Sequence, residues 1–222
     1  MITRNTDKLR RQVAAHVAAD TIIQGIYWDE ENHRGCFIGC LAHSNDPKIN
    51  EAEYGLPVTV QRIAEGIFEA LPAADAKAFF ASLPDAVGCD GKDLSRVGWQ
   101  FLAAELRALP PQTTDIQAVI DPVITGLDLL AAGQDWPHAH AGNAAHAAAA
   151  AAHAAAAANA ANAVNAAAAA AAAYAAAAAH DAARAAAHAA AAAAYAAAAA
   201  NADARLRQRD LLLQLISDAP RP

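Results

Sequence analysis

The sequence predicts an all-α protein, and three observations lead to that prediction. No segment alternates apolar and polar residues in the way a half-buried strand does. The first half instead repeats apolar residues at helical spacing between proline and glycine breaks. From Asn143 to Arg205 the chain is almost entirely alanine, the strongest helix former. We therefore expect a helical N-terminal domain packed with an alanine-rich helical bundle.

The first two predicted helices flank a loop. Thr6 is a suitable N-cap for a helix over residues 7–21, which carries its apolar residues at helical spacing. Residues 22–34 mix β-branched, aromatic and charged side chains, which predicts a loop. Residues 35–43 are small and compact and run into a Ser-Asn-Asp-Pro turn, which predicts a short helix.

Prolines delimit the next two predicted helices. Pro57 is a good first-turn residue for an amphipathic helix that stops at Leu71, before Pro72. A further helix over Ala73 to Leu83 is closed by a second proline, Pro84. Residues 85–93 contain two glycines and predict a loop.

The last predicted elements of the first half are two longer helices. Ser95 can cap a helix that ends before the Pro-Pro pair at 110–111, and Thr114 or the next residue opens another. Pro122 lies early in this second helix and predicts a kink. Residues 133–137 form the predicted joint between the two halves of the chain. The predicted domains are therefore 1–133, which holds the bulky apolar residues, and 134–222.

The alanine-rich half repeats every 21 residues. Two series of larger side chains keep this spacing: His153, Tyr174 and Tyr195, and Asn159, His180 and Asn201. One interpretation is a single long helix that hides its faces by forming a homo-oligomer. The other is a bundle of shorter helices joined at the Asn-rich clusters. The bundle is favoured because a rod with so few charges would aggregate.

Composition excludes several classes of function. The net charge of −7 does not suit a protein that binds a nucleic-acid backbone. The longest uncharged run, residues 166–179, is shorter than the ~20 residues that span a bilayer, so we expect no membrane segment. Three cysteines, with no signal-peptide pattern, predict reduced thiols in a cytoplasmic protein.

The clearest chemical pattern places Cys36, Cys40 and His43 on one face of a short helix. Two thiols and an imidazole on one side are typical zinc ligands. His43 lies two turns from Cys36, however, and a fourth ligand would have to come from elsewhere, such as Cys89 or His16. The pattern predicts a metal site only if the fold supplies that ligand.

The same residues have two other interpretations. A thiolate nucleophile would use His43 as its base and Glu65 or Glu69 to orient the imidazole. A redox pair fits less well, because side chains four apart on a helix point alongside one another. The structural alternative is that Gly35 and Gly39 are small so that another helix can pack closely against them.

Two further groups are candidates for ligand binding. His180, Arg184 and His188 share a helical face and suit an anion, and Tyr174 and Tyr195 border spaces that alanine cannot fill. The structural alternative for all five is that they face solvent or stabilise a helix.

Arg96 and Trp99 follow a capped helix start that suits an anion, although Trp99 is also a natural core residue. The His-x-His motif at His138 and His140 can bind a divalent metal, but it has no nearby carboxylate or thiol in the sequence.

Four motifs precede the alanine-rich tail, and they are Gly35-Cys36-x-x-Gly39-Cys40-x-x-His43, Tyr54-Gly55-Leu56-Pro57, residues 67–72 and residues 93–101. Together they resemble a family of uncharacterised bacterial and phage-borne proteins. The resemblance implies a helical domain with a helical tail and no particular activity. The tail is also similar in composition to immunity proteins of toxin systems. The thiol and imidazole pattern resembles an all-helical peroxidase-partner family, although the thiol spacing differs.

The leading hypothesis from the sequence is a non-enzymatic binding protein, immunity- or defence-related, without a cofactor. It would capture a protein partner or a small polar ligand, because no complete catalytic set is present. The alternative is a thiol- or metal-dependent enzyme centred on Cys36, Cys40 and His43, with zinc as its cofactor.

Overall fold

The computed structural model describes residues 1–109, 114–137 and 202–222. Nearly all of the alanine-rich repeat therefore lies outside the described residues, and so does the choice between a rod and a bundle.

The prediction of an all-α fold is confirmed for the described residues. The helices are α1 (Thr6–Ala18), α2 (Phe37–Ala42), α3 (Pro47–Tyr54), α4 (Val58–Ala70), α5 (Ala73–Val87), α6 (Val97–Arg107), α7 (Thr114–Ala131) and α8 (Ala202–Ser217). The sheet in this part of the chain is one antiparallel pair, β1 (Trp28–Asp29) and β2 (Arg34–Gly35). Trp28 pairs with Gly35, and Asp29 pairs with Arg34.

Helix α3 was missed by the sequence analysis, which read only a turn before it. The Asp46 side chain accepts a hydrogen bond from the backbone N–H of Lys48, and Pro47 occupies the first turn. Gly55 ends the helix with a left-handed φ of 70°. The helix has few apolar residues, so its start and stop signals were the only clues in the sequence.

The predicted end of α5 at Pro84 was wrong. The helix continues to Val87 with Pro84 inside its last turn. A proline there removes one backbone hydrogen bond. Leu83, Pro84, Ala86 and Val87 are all buried, and the packing of this turn outweighs that loss.

The chain divides into two compact units. The first contains Met1–Val97 together with Arg205–Pro222, and the second contains Gly98–Ala204. The predicted boundary at residue 133 falls inside the second unit. The C-terminal residues from 205 onward belong to the first unit, although they lie beyond the alanine-rich segment in sequence.

The core of the first unit is built around Phe37 at the start of α2. Its ring contacts Phe79 and Phe80 of α5, with ring centroids 5.4 and 5.5 Å apart, and Phe68 of α4 at 6.2 Å. All four rings are buried. Aromatic burial of this size holds the start of α2 against α4 and α5.

Two glycines at and just before α2, Gly39 and Gly35, allow a close approach, but the neighbour differs from the predicted one. A Cβ added to Gly39 would lie 1.5 Å from the carbonyl oxygen of Tyr27, and one added to Gly35 would lie 2.2 Å from the same atom. The backbone that precedes β1, not a second helix, therefore presses on these two glycines.

Within the second unit, α7 is closely covered by an indole. A Cβ added to Gly126 would lie 2.1 Å from the Trp136 side chain, which is buried. Arg107 forms an ion pair with Asp128 at the surface of the same unit. The segment 133–137, predicted as a joint, thus includes a tryptophan whose side chain packs against α7.

Candidate functional site

The three candidate residues occupy different positions along the short helix α2. Cys36 is the N-cap residue, Cys40 lies within the helix, and His43 is the C-cap residue with a left-handed φ of 49°. Helices often end in this conformation, although glycine or asparagine is more usual there than histidine. The turn at His43 directs the chain away from the helix axis.

The Cys40 thiol is a buried structural group. Its Sγ donates a hydrogen bond to the carbonyl oxygen of Gly35 at 3.1 Å. Burial raises the pKa of Cys40 to about 12. A thiol that stays protonated at neutral pH is a poor nucleophile, and a metal ion must displace its proton in order to bind it.

Cys36 lies beside two carboxylates of α4. Its Sγ and one oxygen each of Glu65 and Glu69 all lie within 4.8 Å of one another. Burial, followed by repulsion from Glu65, raises the pKa of Cys36 far above its ordinary value. The Glu65 carboxylate accepts a hydrogen bond from the Ile38 backbone N–H at 3.0 Å, and burial raises its pKa to about 7.

The predicted trio of Cys36, Cys40 and His43 is thus divided among different neighbours. In the part of the chain that the structure describes, the metal-competent group of three or more His, Cys, Asp or Glu side chains is Cys36 with Glu65 and Glu69. Cys40 and His43 are not members of it. The sequence prediction gave the two glutamates a different role, as groups that orient the His43 imidazole.

His43 instead belongs to an aromatic cluster, which we call the imidazole–indole cluster and define as His16, Trp28, His33 and His43. The His43 ring stacks on Trp28 with centroids 4.6 Å apart and an interplanar angle of 13°. The His43 Nε2 atom lies 3.0 Å from Nε2 of His16, which reaches it from α1. The His33 ring is also close to the indole, with ring centroids 6.3 Å apart and an interplanar angle of 50°.

A neighbouring threonine and an amide hold this cluster in place. The His16 Nδ1 atom lies 2.7 Å from Oγ1 of Thr21. Gln12 donates both amide hydrogens to the Cys40 and Leu41 carbonyls, at 2.8 and 2.7 Å. Its oxygen accepts a hydrogen bond from the Tyr54 hydroxyl at 2.5 Å. These contacts fix α1 against α2 and set the orientation of the His16 ring.

The cluster combines a buried imidazole with exposed ones. His16 is buried, Trp28 is half-buried, and His33 and His43 are exposed. Burial and then repulsion from His43 lower the pKa of His16 below its ordinary value, and burial followed by repulsion from His33 lowers that of His43. Neutral imidazoles offer a lone pair to a hydrogen donor or a cation.

The other predicted ligand residues are placed as follows. Arg96 is exposed just before α6, and Trp99 is half-buried in its first turn. Tyr174, His180, Arg184, His188 and Tyr195 lie outside the described residues, as do His138 and His140. The anion sites predicted near Arg96 and at His180 therefore stay predictions.

His16 was predicted only as a fourth metal ligand supplied from elsewhere in the fold, and neither Trp28 nor Thr21 was a candidate. These residues lie 27, 15 and 22 positions before His43, so no local spacing brings them together. The clue in the sequence was His16 itself, a polar residue among the apolar positions of α1.

For the residues that the structure describes, fold and site together define a mainly helical protein with a surface cluster of imidazole and indole side chains. No protein-family model matches the chain, and neither the curated proteins nor the solved structures contain a significant match. Among the described helices, none is long and apolar enough to cross a bilayer.

We predict that stability falls as pH rises through the titration of Glu65. Between its ordinary pKa of 4.5 and about 7, the folded state keeps a proton on Glu65 that the unfolded state has lost. The free energy of unfolding should therefore decrease between pH 4.5 and pH 7 and level off above that range. Urea unfolding at several pH values measures it. Glu65→Gln should flatten this decrease, and an unchanged slope would contradict the assignment.

Proposed function

We propose that this chain is a non-enzymatic binding protein that captures a small polar ligand at the imidazole–indole cluster. The observation that carries the proposal is the stacked pair of His43 and Trp28 at the surface, backed by buried His16. A flat indole with imidazole donors and acceptors beside it offers both a stacking surface and directional hydrogen bonds. Such a combination is typical of sites that select polar molecules.

The chemistry of the thiols also supports binding over catalysis. Cys36 and Cys40 are buried, and burial raises the pKa of both. A nucleophilic cysteine requires the opposite, a lowered pKa and partial exposure. The cytoplasmic location and the absence of a nucleic-acid partner remain expectations from composition.

A thermal-shift screen tests the proposal directly. A ligand that binds only the folded state raises the melting temperature in proportion to the logarithm of its concentration over its Kd. The panel comprises nucleotides, inorganic phosphate, citrate and free amino acids. A binding ligand should lose its shift in Trp28→Ala and retain it in the control Trp99→Ala, which removes another half-buried indole, one that lies outside the cluster. If no panel member gives a Trp28-dependent shift, the small-ligand proposal fails.

A protein partner is the other form of the same proposal, and the resemblance to immunity proteins supports a role in defence. Ile26 and Tyr27, which directly precede Trp28, are 44% and 42% exposed. Exposed apolar side chains beside a tryptophan suit a protein interface. Co-expression with a panel of bacterial toxins should identify one whose growth inhibition the chain suppresses, and Trp28→Ala should abolish that rescue. Growth inhibition in the presence of the intact chain would argue against this role.

A metal-dependent enzyme is the second candidate, favoured by the approach of Cys36, Glu65 and Glu69 within 4.8 Å. Thiolate and carboxylate groups are zinc ligands, and binding would displace the protons that burial now retains. In this hypothesis the ligands beside Cys36 are Glu65 and Glu69, in place of the predicted Cys40 and His43. Elemental analysis of the purified full chain tests this candidate. Stoichiometric zinc that is lost in Cys36→Ser would support a metal site. A metal-free protein would rule the site out.

We expect the three cysteines to differ in their reaction with iodoacetamide. Cys89 is half-buried, whereas Cys36 and Cys40 are buried with raised pKa values. At about pH 7.5, Cys89 should react at least ~10-fold faster than Cys36 and Cys40. The thiolate is the reacting species, and the two buried thiols stay protonated and shielded from the reagent. Peptide mass spectrometry over time measures it, with urea-unfolded protein as the control in which all three label alike. Fast labelling of Cys36 would revive the thiol-enzyme hypothesis.

A further inference from the structure

The hairpin of β1 and β2 carries exposed apolar and acidic side chains close together in the chain. Ile26 and Tyr27, which are 44% and 42% exposed, lie just before β1. Glu30 and Glu31 are exposed in the turn that joins β1 to β2. We call these four residues the apolar–acidic patch. At most about 18 Å of extended chain separates Ile26 from Glu31, so the whole patch fits within one protein interface of standard size.

The backbone of Ile26 and Tyr27 is fixed to the helices behind it, although both side chains are exposed. The carbonyl oxygens of the two residues accept hydrogen bonds from the backbone N–H of Cys36, at 2.8 and 3.1 Å. The Tyr27 hydroxyl accepts a hydrogen bond from Nη1 of Arg62 on α4 at 2.7 Å. A partner that covers these side chains would therefore restrict little additional conformational freedom.

The turn of the hairpin is also held in one conformation. The Asp29 carboxylate accepts hydrogen bonds from the backbone N–H and the side-chain amide of Asn32, at 3.2 and 2.9 Å, and from Nε of Arg34 at 3.0 Å. Glu30 and Glu31 lie between these residues, and neither forms an ion pair or hydrogen bond within the part of the chain that the structure describes. A rigid turn thus presents two carboxylates to a partner.

The local charge of the hairpin is negative. Residues 29–34 carry three carboxylates and one guanidinium, which gives a net charge of −2 with histidine counted as neutral. Two charged side chains of α4 contact the segment before β1, and they offset each other: Arg62 is cationic, and Glu69, which accepts from the Gly25 N–H at 2.8 Å, is anionic. The hairpin therefore repels nucleic acid and anionic membranes and attracts a cationic surface.

We propose that the apolar–acidic patch binds a protein whose contacting surface is cationic, with Lys or Arg side chains beside an apolar depression. Ile26 and Tyr27 fill the depression, and Glu30 and Glu31 pair with the cationic groups. This inference deepens the protein-partner form of the proposed function and rests on it, because it names the chemistry of the partner.

Selection from a phage-displayed library of random peptides on the immobilised full chain tests the composition of the partner. Enriched peptides should combine Lys or Arg with an apolar residue. They should bind the double variant Glu30→Lys, Glu31→Lys at least ~10-fold more weakly. The control is the double variant Asp85→Lys, Asp218→Lys, which makes the same change in net charge at exposed carboxylates outside the hairpin. It should retain the affinity within about 3-fold, because salt screens distant charges.

Binding kinetics of one selected peptide separate the two parts of the patch. Glu30→Gln with Glu31→Gln should lower the association rate constant and weaken its dependence on salt, because rim charges mainly steer the encounter. Tyr27→Ala should raise the dissociation rate constant at least ~10-fold, because it removes an aromatic anchor. Ile49→Ala is the matched control for Tyr27→Ala, since it shortens an apolar side chain of similar exposure, 43%, outside the patch. It should change neither rate constant.

Three results would overturn the inference. They are enriched peptides that lack Lys and Arg, no enrichment over an uncoated surface, and equal weakening by the hairpin pair and the control pair, which would show that binding follows net charge alone. If uncharged peptides bind in a Trp28-dependent manner, or a small ligand gives a Trp28-dependent thermal shift, this inference fails and the proposed function stands.

Discussion

Gly39→Ala is expected to destabilise the first unit by roughly 3 kcal/mol or more, which is at the upper end for a single added methyl group. The new Cβ would lie 1.5 Å from the Tyr27 carbonyl oxygen and 2.6 Å from its carbonyl carbon. Both are backbone atoms and cannot rotate away, so α2 and the segment before β1 must separate. The midpoint of urea unfolding, followed by circular dichroism, measures the effect.

Gly25→Ala is the control for this substitution. No atom lies within 4 Å of its added Cβ, but its φ of 85° is in the left-handed region. It should therefore cost about 1–2 kcal/mol through backbone conformation alone. A Gly39→Ala variant no less stable than Gly25→Ala would show that α2 does not lie against Tyr27. Loss of the contact should also move His43 away from Trp28.

Gln61→Leu is expected to cost about 3 kcal/mol, although it preserves side-chain size and adds apolar surface. The Gln61 amide is 1% exposed and donates to the carbonyls of Pro47 and Leu56, at 2.9 and 2.7 Å. Its oxygen accepts from Asn50 Nδ2 at 3.0 Å. Leucine would leave these buried groups without a partner, at about 1–3 kcal/mol each before relaxation.

The matched control is Gln100→Leu on the exposed face of α6. It makes the same chemical change where water replaces the lost hydrogen bonds, so its effect should be within about 0.5 kcal/mol. Asn50 Nδ2 keeps its hydrogen bond to the Ile38 carbonyl at 3.3 Å in the variant, so the main loss falls on the Pro47 and Leu56 carbonyls. If Gln61→Leu unfolds at the same urea concentration as the parent, the amide network does not contribute to stability.

Helix positions in the first half could be predicted because local signals agree with the fold. Pro57, Pro72 and Gly88 punctuate the chain at the ends of α4 and α5. Pro84 misled the prediction because packing of an apolar last turn outweighed one missing hydrogen bond. Helix α3 was not predicted because it lacks an apolar stripe, and only its capping residues mark it in the sequence.

The candidate site could be predicted less well than the fold. Periodicity placed Cys36, Cys40 and His43 on one ideal helix face, but α2 is only six residues long. Its N-cap and C-cap residues leave the helical path, so the three side chains reach different neighbours. Carboxylates from α4 and an imidazole from α1 then become the partners, and no spacing in the sequence encodes those approaches.

The sequence by itself determined the helical class and most helix limits, because backbone propensity, proline and glycine act within a few residues. Tertiary structure alone decided that His43 meets His16 and Trp28 and that Glu65 meets Cys36. Those pairs depend on the burial of Phe37 between α4 and α5 and on the Tyr27 backbone that presses on Gly39. Burial between distant segments sets the chemistry of a side chain, and a linear pattern does not contain it.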